Sequence, residues 1–61
     1  MAYVLKADTT EGVVYYMNFI MTTSQKESAQ TFKTKKEAED NKDRFKYLFY
    51  YEEPKITIEQ L

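Results

Sequence analysis

The stretch Ala29–Tyr51, AQTFKTKKEAEDNKDRFKYLFYY, decides the fold. Thr34 followed three residues later by Glu37 is a capping-box pattern: the Thr hydroxyl accepts from the Glu37 amide, and the Glu37 carboxylate reaches back to the Thr34 N–H. A helix is therefore predicted to begin at Lys35. Pro54 cannot continue a helix and biases Glu53 to extended backbone, so the helix is expected to end near Tyr51 or Glu52. At about 100° per residue, Ala38, Phe45, Leu48 and Phe49 share one apolar stripe. That stripe needs a sheet to cover it, and the rest of the chain reads as strands.

Ala2–Ala7 (AYVLKA) is the first, with Tyr3, Leu5 and Ala7 on one face. Asp8–Gly12 (DTTEG) collects turn residues and the single glycine, so the chain reverses there. Val13–Thr23 (VVYYMNFIMTT) is dense in β-branched and aromatic residues and lacks helical periodicity, which makes it the central strand. Ser24–Ser28 is a polar loop, and Ala29–Phe32 returns as a short third strand with Phe32 anchoring the helix entrance. Lys55–Leu61 (KITIEQL) alternates, so Ile56 and Ile58 are expected to face the helix. The expected architecture is α+β: one domain over residues 1–61, a small antiparallel sheet of three to four strands with one helix on one face, in the order ββ(β)αβ.

Size limits how this domain can be stabilised. A chain of 61 residues buries only about 60% of the surface exposed when unfolded, and a lone core of this size supplies about 3 to 5 kcal/mol. With neither Cys nor His, a disulfide is excluded and so is a zinc site of the usual kind. Oligomerisation is the remaining common device. The Val13–Met21 stretch points the same way, because odd positions set Val13, Tyr15, Met17, Phe19 and Met21 on one face and even positions set Val14, Tyr16, Asn18, Ile20 and Thr22 on the other. Both faces are apolar, and one helix covers only one of them. With the odd face taken as core, the even face becomes a homodimer contact or a partner site. The expected interface is Val14, Tyr16, Asn18 and Ile20, joined by Tyr47 and Tyr51 from the side of the helix away from the stripe; Tyr50 belongs to the same aromatic group. Partial exposure of amphipathic aromatics is the simpler alternative.

Composition excludes several function classes. Nine basic against ten acidic residues give a net charge of −1, neither the basic balance of a nucleic-acid binder nor the acid block of a nucleic-acid mimic. The longest apolar run, Val13–Met17, is far shorter than the roughly 20 residues of a membrane span, and the start MAYVLKAD has no signal-like pattern. A cytoplasmic location is expected. Ser and Thr residues occur without a His or Cys to complete a nucleophilic site, so no catalytic residue is assigned and an enzyme is not expected. The carboxylate pairs Glu39/Asp40 and Glu52/Glu53 have no phosphate-binding loop beside them, and no metal or cofactor is expected. Lys33, Lys35 and Lys36 are the best nucleic-acid signal, with Tyr15, Tyr16 and Phe19 available to stack bases, but Glu37, Glu39 and Asp40 follow at once.

At Ala29–Glu39, the pattern A-x-x-F-x-T-x-x-E-A resembles small proteins of bacteriophages and related bacterial mobile elements, chains that open with a hairpin and pass through this segment into one helix. The Trp often found between hairpin and segment in that group is absent here. Some small phage proteins of this size inhibit bacterial defence systems by binding a host protein. The resemblance implies phage origin and a non-enzymatic protein-binding role, with inhibition of a host protein as the activity. A small nucleic-acid-binding regulator is the alternative.

Overall fold

The computed structural model describes every residue except Met1, Phe19 and Tyr51. Four strands, β1 (Tyr3–Thr9), β2 (Gly12–Asn18), β3 (Met21–Thr23) and β4 (Lys55–Gln60), form one antiparallel sheet in the order β3-β2-β1-β4. Between β3 and β4 the chain makes a 3-10 turn (Lys26–Ser28) and two short helical pieces, α1 (Lys35–Asp40) and α2 (Lys42–Lys46), which together cover one face of the sheet. The α+β architecture is as expected, and three of its local features differ from the reading of the sequence.

First, Val13–Thr23 is two strands and not one. Asn18 Oδ1 accepts from the amides of Ile20 and Met21, both at 2.9 Å, and this side-chain turn folds β3 back onto β2. Ala29–Phe32 contributes no full strand; Phe32 forms an isolated bridge with Tyr3, exchanging hydrogen bonds of 2.8 and 2.9 Å. The Gln30 amide also donates to the Tyr16 carbonyl at 2.9 Å, so this segment fills the gap where β2 leaves β1.

Second, the helix is interrupted at Asn41 and ends at Lys46, short of Tyr51. In a continuous helix the Glu37 carbonyl would accept from the Asn41 backbone N–H. Here the Asn41 side-chain amide takes that carbonyl at 2.8 Å, and its backbone N–H turns to Ala38 at 3.1 Å. The last turn tightens further, with Leu48 N–H donating to Phe45 and Phe49 N–H to Lys46, each at 3.1 Å. The cap itself forms as expected, Thr34 Oγ1 accepting from the Glu37 amide at 3.1 Å. The returning Glu37 carboxylate, however, accepts from Lys33 N–H at 3.2 Å and not from Thr34.

Third, the faces of β2 are the reverse of those expected. Ala7 pairs with Val14 and Lys6 with Tyr15, so even positions of β2 share the face of Tyr3, Leu5 and Ala7. Leu5, Ala7, Tyr16, Phe32, Ala38 and Phe45 form the buried core, with Tyr3, Val14, Leu48, Phe49, Ile56 and Ile58 packed around it. Aromatic rings meet at its centre: Tyr16 stacks on Phe32 at 6.2 Å, and Phe45 takes edge contacts from Tyr16 at 5.5 Å and Phe49 at 5.4 Å. On the opposite face Val4 is also fully buried. Lys26, from the 3-10 turn, reaches an ion pair with Glu59, the cross-strand neighbour of Val4.

Candidate interaction surface

The residues singled out for an interface divide into three groups. Val14 and Tyr16 lie on the helix face of the sheet; Tyr16 retains only 3% of its exposure and belongs to the core. Its assignment to a partner surface is therefore corrected, because the register with β1 turns it under Phe45. Asn18 is half-buried and its carboxamide is engaged in the β2–β3 turn, which makes it a structural residue. Ile20 and Tyr47 are the third group, 67% and 79% exposed. Tyr51 lies outside the described residues, as does Phe19.

Around Tyr47 the chain leaving α2 builds an open depression lined by Asp43, Lys46, Tyr47, Phe49, Tyr50 and the pair Glu52 and Glu53. Tyr50 is 88% exposed and stands between this depression and a second groove, which runs to the tip of the β1–β2 hairpin past Val13 and Val14. The wall is fixed by Glu52, whose Oε2 accepts from the Thr10 amide at 3.1 Å and ties Glu52 to the hairpin. Phe49 anchors the floor by its edge contact with Phe45. A base held by Phe49 and Glu52 thus carries the largely exposed Tyr47 and Tyr50, the amphipathic side chain that best combines apolar area with a polar tip. Proximity of Asp43, Glu52 and Glu53 to Lys46 gives the rim mixed charge.

Lys33, Lys35 and Lys36 are exposed at the entrance of α1. Glu37 sits among them through its bond to the Lys33 amide, so the three cations do not form an uninterrupted basic patch. The carboxylate pair Glu39/Asp40 is exposed on α1, and Glu52 is committed to Thr10. Among the described residues no three metal-ligating side chains converge, and no helix is long and apolar enough to cross a membrane.

The other face of the sheet carries the charged cluster that periodicity did not reveal. Glu59 meets Lys26 directly and lies 3.9 Å from Lys6 Nζ. The hydrogen bond from Lys26 holds the Glu59 carboxyl below the usual carboxylate range, and the same bond raises the Lys26 ammonium above its ordinary value. Comparison with protein-family models, curated proteins and solved structures finds no match.

Proposed function

We propose that this chain is a non-catalytic protein-binding module, carried by a bacteriophage or related mobile element, that acts in the bacterial cytoplasm by docking on a host protein and inhibiting it. The observation that supports docking is the pair Tyr47 and Tyr50, both more than three-quarters exposed on a base fixed by Phe49 and Glu52. Large, highly exposed aromatic side chains on a chain this small favour an interface, where Tyr is among the residue types that carry much of the binding energy. The resemblance of Ala29–Glu39 to small phage proteins supports a host component, such as one of an anti-phage defence system, as the partner.

The test is a pull-down from bacterial lysate with the wild type and with a Tyr47→Arg/Tyr50→Arg variant, each with and without nuclease. The expected result is a nuclease-resistant protein partner recovered by the wild type, lost from the variant, and inhibited in its own assay. Capture that disappears with nuclease would replace this reading by the nucleic-acid one.

A further inference from the structure

The two open edges of the sheet are not alike. β3 is three residues long and its register against β2 slips between Tyr16 and Asn18, whereas β4 runs six residues in unbroken register with β1. Short, bulged edges resist pairing with another strand, and straight, regular ones invite it. Two observations fix the direction of the amides along β4. Leu61 N–H donates to the Ala2 carbonyl at 2.8 Å, and Tyr3 turns its own amide and carbonyl the other way, to Phe32. By the alternation of an antiparallel ladder, Lys55, Thr57 and Glu59 bond toward β1, while Ile56 and Ile58 turn their N–H and C=O outward from the sheet. Among the described residues no other segment bonds the backbone of Ile56 or Ile58.

We propose that this edge pairs antiparallel with β4 of a second copy of the chain, on a twofold axis through Thr57, joining two four-stranded sheets into one. The sequence Lys55-Ile56-Thr57-Ile58-Glu59 is its own complement about Thr57. Ile56 of each copy meets Ile58 of the other and the two exchange both backbone hydrogen bonds, while Lys55 falls opposite Glu59 at both ends of the seam. The neighbouring register, centred on Ile58, sets Thr57 against Glu59 and Lys55 against Leu61, and brings no opposite charges together. Charge therefore selects Thr57, since opposite charges directly across a pair of strands are favourable. Glu59 already faces Lys26 and Lys6, and Asp8, the cross-strand neighbour of Lys55, supplies the balancing negative charge on that row. On the helix face, the half-buried Ile56 and Ile58 side chains would meet across the seam and continue the apolar layer. The seam uses no residue of the Tyr47 and Tyr50 depression, so assembly and partner docking are compatible and are tested separately.

Sedimentation equilibrium over a concentration series tests the seam. The wild type should approach twice its 7.3 kDa monomer mass. Lys55→Glu and Glu59→Lys each set like charges at both ends of the seam, and each should raise the dissociation constant at least about tenfold. In an equimolar mixture of the two variants every position 55 faces a position 59 of opposite sign, so the mixture should regain the dimer mass. Lys55 is exposed, and its variant keeps the Lys26–Glu59 pair. Should Glu59→Lys fail to fold, amide exchange at Ile56 and Ile58 takes its place: slow in concentrated wild type, fast on dilution and fast in Lys55→Glu. A wild type that stays at monomer mass up to high micromolar concentration overturns the proposal. So does a dimer that Lys55→Glu leaves unaltered, or a mixture of folded variants that does not reassociate.

Discussion

Replacing Phe45 by Ala removes the ring that joins both layers of the protein. Phe45 is fully buried, and its ring is held by edge contacts with Tyr16 from β2 and Phe49 from the segment after α2. Truncation of a buried Phe costs about 3 to 5 kcal/mol, and two aromatic partners left facing a cavity place this case toward the upper end. A chain of 61 residues, at about 0.05 to 0.15 kcal/mol per residue, has a total stability of about 3 to 9 kcal/mol. The variant should therefore be largely unfolded or lose about 12 °C or more in melting temperature, since each kcal/mol moves a domain this small by about 4 to 8 °C. Thermal melts followed by far-ultraviolet circular dichroism measure this directly. Near-ultraviolet dichroism adds a second reading through Tyr16. Phe45→Leu, which keeps much of the volume, should stay folded with a smaller drop. A Phe45→Ala melt superimposable on the wild type would refute the placement of the core.

Thr34→Ala should cost about 0.5 to 2 kcal/mol in a denaturant titration, because the Glu37 amide loses its acceptor at the start of α1. Neutralising Lys33, Lys35 and Lys36 together with Gln should leave stability within about 0.5 kcal/mol and leave protein-partner binding unchanged; loss of a salt-sensitive affinity for DNA or RNA in that variant would point to the other function class. The Glu59 pKa is depressed in the folded protein, so its contribution is complete above the ordinary carboxylate value of about 4.3 and is lost as pH falls through the depressed value. Melts between pH 7 and pH 2 should show a shallower acid loss for Glu59→Gln than for the wild type; identical slopes would show that the Lys26–Glu59 pair does not stabilise the fold.

Local chemistry was readable from the sequence where one residue type has one physical use. The Thr34 cap, the common face of Tyr3, Leu5 and Ala7, and the inward turn of Ile56 and Ile58 all follow from spacing. The face of β2 was not readable, because Val14 and Tyr16 are as apolar as Val13 and Tyr15. Only the pairing of Ala7 with Val14, a contact between strands, chooses between them. The roles of Asn18 and Asn41 were not readable for a related reason. Each acts through a side-chain bond to nearby backbone, one making a turn and the other interrupting a helix, and neither act leaves a periodic trace. Of the candidate surface, the exposure of Tyr47 was legible from its position off the apolar stripe. The outward edge of β4 was not, since the direction of an amide depends on which neighbour the strand acquires.

The pairing of β1 with β4 also governs how a newly made chain acquires its structure. β1 is an interior strand of the sheet, yet one of its neighbours is drawn from the opposite end of the sequence, with Leu61 bonded to Ala2. Hairpins close in about 1 to 10 μs, whereas synthesis adds about 5 to 20 residues per second. During translation β1, β2 and β3 can pair as soon as they leave the ribosome, but the Leu5 and Ala7 layer cannot close until Ile56 and Ile58 follow. For that interval the side of β1 destined for β4 is open, and any extended segment nearby can occupy it. Such contacts between distant parts of a chain are slow to form, and the layer over Leu5 and Ala7 depends on this one. A chain cut short before Ile56 would leave the β1–β2–β3 pairing with an unfinished interior and the β4 side of β1 open to mispairing.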